Sequence, residues 1–404
     1  MSPNARIPEG APHPTGPGAV LDLIRSGRAT TRAELMAATG LSRSTMATRL
    51  EALTEAGYVE EAGTGGATGG RRAQSFRLRR DGGVLLVADI GGAHVRTAVT
   101  DLAGRVLDGR ERTDDVGLGP APVLDRVADD FRDLLAAAGH TADRVRGIGI
   151  GVPGPVEAET GRIVSPPIMT GWDGYRVPDY FAGRYDCPVL TDNDTNLMAL
   201  GEYRTAHAGE EHLVFIKLGT GIGAGLVLGR RLHRGAGGAA GDIGHSPAPG
   251  VDENAPDALV CRCGLTGCLE AYASGWALVR DLRELGHRVD TTAGVVSLIR
   301  DGHPDAVRLV RQSGRLIGRA LADTVSLLNP SSLVIGGELA YAGDHLLAGV
   351  REITYRRSLP LATRELTVTT SRLRSRAGTV GAAGAVTDVL YAPATVDAAL
   401  SRNP

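Results

Sequence analysis

Between Gly18 and Gly57 the apolar positions recur at helical spacing in three short runs. Val20, Leu21, Leu23 and Ile24 form one face that breaks at Gly27. Leu35 and Met36 form a second, which starts behind the capping residue Thr31 and ends at Thr39-Gly40. Met46, Leu50 and Leu53 form a third, which starts behind Ser42 and stops at Gly57. Leu41 is expected as the buried turn residue between the second and third helices. Tyr58-Val59 and the alternating run Ser75 to Arg79 then flank a glycine-rich stretch, Gly63 to Gly70, followed by Arg71 and Arg72. Two short strands around a flexible basic tip complete a winged helix-turn-helix over residues 17–80, behind a proline-rich, disordered arm at 1–16.

From Gly82 the pattern becomes α/β. Val84 to Asp89 reads as a buried strand, Gly91-Gly92 as a tight turn, Val95 to Asp101 as a second strand and Gly104 to Leu107 as the start of a third. A helix follows at about 121 to 138, then a strand at Val145 to Val152. Near Leu213 the unit returns: strand Leu213 to Leu218, turn Gly219 to Gly223, strand Ala224 to Leu228, return Arg230 to His233. A Rossmann domain requires a helix directly after its glycines. Two lobes that each open with a strand-turn-strand unit instead describe a two-lobed actin-like (ribonuclease-H-like) sugar-kinase fold. The first lobe is expected over 81–193 and the second over 194–377, with a helix at 378–391 packing back on the first lobe and a tail at 392–404.

Charge and cysteine content sharpen this. The formal net charge is only -2 over 404 residues, so a nucleic-acid surface has to be local. Residues 17–80 carry ten Arg against six acidic residues, a balance of +4, which places that surface in the amino-terminal unit. No apolar run is long enough to span a bilayer, and a cytoplasmic protein without a membrane partner is expected. Three of the four cysteines crowd between 261 and 268, an arrangement suited to a metal, while Cys187 stands alone as a buried thiol. Lysine is nearly absent. Lys217 reads as a trace of a GC-rich genome and nothing mechanistic.

Four constellations carry candidate chemistry. Ser42, Arg43, Ser44, Thr45, Thr48 and Arg49 lie at the start of the helix that would enter a major groove, with Arg71 and Arg72 on the wing; a plain three-helix domain with a solvated basic face is the alternative. The turns at Asp89, Gly91 and Gly92 and at Gly219, Thr220, Gly221 and Gly223 offer amides for phosphates, or are simply hairpins. Asp194 is placed between strand Val189 to Thr191 and helix Leu197 to Tyr203, where it is either a proton acceptor in a cleft or a helix cap, and Asn193 beside it faces sugar hydroxyls. His245 with Cys261, Cys263 and Cys268 makes a four-ligand structural Zn²⁺ set that leaves no position for a reactive water.

At these residues the chain resembles the ROK family of repressors, open reading frames and sugar kinases. The stretches Gly238 to His245, Cys261 to Gly264 and Gly267 to Glu270 look like its signature. The resemblance implies a zinc loop that shapes a sugar pocket contacted by Asn193, Asp194, Asp242, His245 and Glu270, with Asp194 at the position of the catalytic base. It also implies that Gly336-Gly337 lies on the adenosine side. Kinase members lack the amino-terminal DNA reader, so the fusion implies a sugar-responsive regulator that binds a double-stranded operator as a homodimer, or as a tetramer built from it. An ATP-dependent, glucokinase-like sugar kinase with an appended reader is the alternative. Ala93 and His94 replace the usual Thr and Lys of the first phosphate motif, which argues against ATP and Mg²⁺ as ligands. Asp242 replaces the usual Glu and shortens the reach toward sugar.

Overall fold

The computed structural model describes residues 15–62 and 74–402. The arm before Thr15, most of the wing tip, and Arg71 and Arg72 lie outside the described residues.

The reader comprises α1 (Pro17–Arg25), α2 (Arg32–Thr39), α3 (Arg43–Glu55), β1 (Val59–Ala62) and β2 (Ser75–Leu78). Its helix boundaries follow from local chemistry. Thr31 and Glu34 form a capping box at α2, Gly40 ends that helix at φ 71°, and Ser42 caps α3 by accepting from the Thr45 amide at 3.2 Å. Leu41 is only partly buried, at the rim of the cluster its neighbours fill.

The first lobe contains β3 (Val84–Ile90), β4 (His94–Asp101), β5 (Val106–Thr113), α4 (Pro120–Ala137), β6 (Val145–Val152), the short pair β7 (Val156–Glu157) and β8 (Arg162–Ile163), α5 (Val177–Phe181) and β9 (Val189–Asn193). The third strand starts later than its sequence pattern suggests, because Gly104 at φ 80° makes the turn before it. Then come α6 (Asp194–Ala206), β10 (Leu213–Leu218), β11 (Ile222–Leu228), β12 (Arg231–His233), α7 (Leu269–Ala273), α8 (Gly275–Glu284), α9 (Thr292–Arg300), α10 (Pro304–Leu328), β13 (Ser332–Gly336), α11 (Asp344–Arg357), α12 (Pro360–Thr363) and β14 (Thr367–Thr370). The chain closes with α13 (Ala377–Leu390) and α14 (Pro393–Arg402).

The two five-stranded sheets share one topology. Their orders are β5-β4-β3-β6-β9 and β12-β11-β10-β13-β14, each an antiparallel meander continued by two parallel strands. This is the duplication that the repeated strand-turn-strand pattern predicts. All seven residues of β3 are buried, as expected of a central strand covered on both faces. β5, at the edge, is exposed and carries Asp108, Arg110, Glu111 and Arg112, charges that discourage pairing with another chain.

Helix α13 packs on β3, β6 and α6. The last contact is close because glycines face each other: a Cβ at Gly381 would fall 1.7 Å from the Leu197 carbonyl oxygen, and one at Gly201 2.3 Å from that of Ala377. The segment expected as a tail is instead mostly α14, which docks on α1. Val396 is fully buried, and the Gly18 amide donates to Asp397 at 2.8 Å.

This docking changes the meaning of the boundary at residue 80. Val20, Leu21, Leu35, Met46, Leu50 and Phe76 of the reader share one buried cluster with Leu85, Val87 and Leu102 of the first lobe and with Val386, Tyr391 and Val396. A cut there would bare apolar surface on both sides, at about 25 cal/mol per Å². The reader is therefore fixed to the first lobe by packing as well as by chain connectivity.

Candidate functional site

The residues expected to read a groove lie at the start of α3. Arg43, Ser44 and Thr48 are exposed, and Arg49 is half-buried. The Ser42 hydroxyl is tied inward, to the Thr45 amide and to the hydroxyls of Ser44 at 3.0 Å and Thr45 at 2.9 Å. Thr48 donates to the Ser44 carbonyl at 3.3 Å. Arg43 is thus exposed, while Ser42 and Thr45 order the helix end that presents it.

In the loop before α7, His245, Cys261, Cys263 and Cys268 bring one ligand atom each to within 4.8 Å of one another. His245 Nδ1 lies 3.6 Å from Cys261 Sγ, and Cys263 Sγ lies 3.7 Å from Cys268 Sγ. Ligands about 2.3 Å from a tetrahedral zinc would be about 3.8 Å apart, so the set fits the ion. Burial pushes the Cys268 thiol up to about 12, with the neighbouring sulfurs adding to the rise. Backbone bonds hold the loop: Cys261 N donates to Leu265 O at 2.8 Å, Ala248 N to Gly267 O at 2.7 Å and Leu269 N to Ser246 O at 2.9 Å.

The loop is linked directly to the second glycine turn. Cys268 precedes α7, whose Glu270 accepts from the Ile222 amide at 2.9 Å and from Trp276 Nε1 at 3.3 Å. The Gly275 amide donates to Gly219 O at 2.8 Å. Gly221 leaves room for the Glu270 carboxylate, which a Cβ would meet at 2.5 Å. Gly337, at φ 85°, passes so near β10 that a Cβ would lie 2.4 Å from Leu218 O, and Gly336 makes way for the Phe215 ring. These glycines have packing reasons independent of any nucleotide.

Asp192, Asn193 and Asp194 sit where β9 meets α6, but the boundary differs from the sequence expectation. The strand runs through Asn193 and the helix begins at Asp194. Asn193, rather than an aspartate, is the cap: its Oδ1 accepts from Thr195 N at 2.9 Å and Asn196 N at 3.2 Å, while Nδ2 donates to Gly154 O at 3.1 Å. Asp192 crosses the cleft to Arg234 of the second lobe at 2.7 Å. Asp242 is exposed and makes no capping bond.

Asp194, 2 % exposed, is paired with Lys217 of β10 and accepts from Thr195 Oγ1 at 3.1 Å. Burial and the Asp194 carboxylate push Asp89 up to about 6, against the pull of Arg96 and Lys217. Burial, helped by Arg96 and Lys217, pushes His94 down to about 3, so its ring is neutral at physiological pH. That ring lies on the first turn, 2.2 Å from where a Gly91 Cβ would be, and is hydrogen-bonded to Arg96 at 2.5 Å. A Cβ at Gly92 would lie 3.8 Å from Thr220 Oγ1, so the two turns are in near contact.

The first turn is thus filled by its own histidine, and the residues present do not fit a Mg²⁺-bound triphosphate. The sequence pattern does not mark Lys217, Arg96 and Arg234 as site residues. A lone lysine in a buried strand was the available signal for the first; the other two are set by contacts across the fold.

Comparison with known proteins agrees with this architecture. The ROK family profile matches residues 85–389 and that of the IclR helix-turn-helix domain matches residues 18–63. A putative xylose repressor of Caldicellulosiruptor sp. is 29% identical over 390 residues, covering 93% of this chain and 96% of its own length. A ROK family transcriptional regulator described as a homologue of the E. coli MLC protein superposes with a TM-score of 0.78 at 26% identity, over 96% of this chain and 98% of that one. A ROK family glucokinase from Streptomyces griseus, solved with glucose and AMPPNP, superposes at 0.65 with 30% identity, covering 75% of this chain and 99% of its own. The quarter that the kinase does not cover matches the length of the reader and its flanks.

Proposed function

The chain belongs to the ROK family, and from that premise we propose that it is a sugar-responsive transcriptional repressor that binds operator DNA through α3 and a monosaccharide between its lobes. The observation that carries this reading is the reader's core, which is continuous with the lobe that forms one wall of the cleft. The name of the xylose repressor relative makes a pentose the first effector to try. We place the protein in the cytoplasm, as a homodimer whose paired readers match a two-fold operator.

Sugar in this reading lies near Asn193, Asp194, Asp242, His245 and Glu270. Asn193 and Glu270 meet it with the bonding capacity their protein partners leave, and His245 through the ring nitrogen turned away from Cys261. Zn²⁺ held by His245, Cys261, Cys263 and Cys268 supplies no chemistry to the sugar; it fixes the loop that positions Glu270. Closure is read out by the interlobe pair Asp192–Arg234 and by Asp388, which bridges Arg25 of α1 at 3.0 Å and Arg204 of α6. A hundredfold change in operator affinity requires about 2.7 kcal/mol of coupling. A few sugar hydrogen bonds made in one closure state supply that, at about 0.5–1.5 kcal/mol each.

The test is operator binding by fluorescence anisotropy at fixed salt, using fragments from around the protein's own gene. The Arg43→Ala protein is expected to bind about ten- to hundredfold more weakly, and a pentose or hexose to weaken wild-type binding. Unchanged affinity in both experiments would sink the proposal. A glucokinase-like activity is the second reading, favoured by the solved glucokinase relative and by the presence of Asp194. ATP-dependent sugar phosphorylation that Asp194→Asn abolishes would establish it.

A further inference from the structure

We infer that Lys217 is a resident counter-ion: its ammonium takes the place among the cleft carboxylates that a divalent cation would need, so the cleft admits sugar without a metal-bound nucleotide. Only the mention of sugar rests on the functional reading above. The counter-ion itself rests on geometry.

Lys217 is the sole lysine of the chain, whose other permanently charged basic side chains are all arginine. It lies on the central strand of the second sheet, opposite Gly223 on one side and Gly336 on the other, in a channel without neighbouring side chains at its own level. A compact ammonium on an unbranched stem suits such a channel, whereas a planar guanidinium needs width for its fork. Its partner Asp194 stands at the start of α6, directly after β9, and Asp89, 4 % exposed, stands near the end of β3 in the same sheet as β9. Arg96 approaches Asp89 only at 3.6 Å. The ammonium acts on both carboxylates, since it also opposes the rise in Asp89 that Asp194 causes.

Two buried carboxylates at the ends of two strands of one sheet, β3 and β9, beside a phosphate turn match the usual protein contribution to Mg²⁺, which takes its remaining ligands from water and phosphate. Here the pair already has a fixed cation, one that cannot exchange. His94 fills the turn beside it, and a Cβ at Gly92 would touch Thr220 of the second turn. Position 217 is therefore proposed as a specificity-determining residue that separates sugar binding from nucleotide binding.

Mn²⁺ titration of the zinc-loaded full chain, followed by electron paramagnetic resonance of the free ion, tests this. Wild type is expected to show no site tighter than about millimolar. Lys217→Met, which keeps the stem and removes the charge, is expected to gain one site at least about tenfold tighter. Equal Mn²⁺ binding by the two proteins, or no site in a folded variant, would overturn the inference. Should the variant fail to fold, wild type labelled with ¹³C-lysine gives a single Cε resonance. That signal is expected to stay sharp in the presence of Mn²⁺, and paramagnetic broadening at submillimolar ion would overturn the inference. Loss of sugar response with this Mn²⁺ pattern intact would sink the functional reading alone, so the two failures are distinguishable.

Discussion

The two ends of the cleft are built in opposite ways. At the His245–cysteine cluster, one imidazole nitrogen and three sulfurs converge with little but each other for partners, on a backbone held by its own hydrogen bonds. At the phosphate end the groups that would receive a ligand are already engaged: Asp194 by Lys217, Asp89 by Arg96, and the first turn by the His94 ring. Donors that face one another at ligand spacing suit an ion, whereas carboxylates matched by internal cations leave less charge for one to neutralise. A motif can thus keep its outline while its polar groups take partners within the chain.

The largest test of this contrast is at the His245–cysteine cluster. Cys261→Ser is expected to lower bound zinc from about one ion per chain to under about a tenth, measured by elemental analysis after gel filtration, because structural sites need the full tetrahedral set. Retention of full zinc would erase the distinction between the two ends.

A smaller effect is expected in the pH dependence of stability at the phosphate end. His94, with its pKa lowered to about 3, favours the fold above the unfolded value of about 6.5, and this contribution is lost as pH falls. Asp89, raised to about 6, contributes stability that is fully present below its unfolded value of about 3.9 and lost as pH rises through about 6. The two slopes oppose each other between about pH 4 and 6. Relative to wild type, Asp89→Asn should therefore gain stability with rising pH across that window and His94→Asn should lose it, each on the order of 2 kcal/mol. Denaturation curves at several pH values would measure this, and parallel trends in the two variants would refute it.

The smallest effect is expected at Gly91. Its alanine variant needs no unusual backbone angle, yet its methyl group would meet the His94 ring, so Gly91→Ala should cost about 1–2 kcal/mol. In a His94→Ala background that cost should disappear. Additive losses would mean that the ring does not occupy the turn.

What the sequence revealed depended on how far each residue's partner lies along the chain. Thr31, Ser42, Gly40 and the cysteine cluster act on neighbours within a few positions or within one loop, so their types and spacing were enough. The duplicated lobes were legible because strand, turn and strand follow one another directly. Asn193 and Glu270 were visible as polar residues near a cleft, but their bonds to Gly154 and Ile222 come from segments 39 and 48 residues away. Nothing local marked α14 as an element that docks on the other end of the chain. Lys217 was visible in composition but without meaning, because its significance lies in Asp194 and Asp89, which only the folded arrangement brings to it.

The single lysine also has a practical consequence. An endoprotease that cuts only after lysine has one bond to attack in this polypeptide, between Lys217 and Leu218, and that bond lies in the middle of the second sheet. Scission requires the strand to leave its neighbours, so the rate at which the intact band halves into two fragments is a clock for opening of that lobe, readable on a gel without label or mutation.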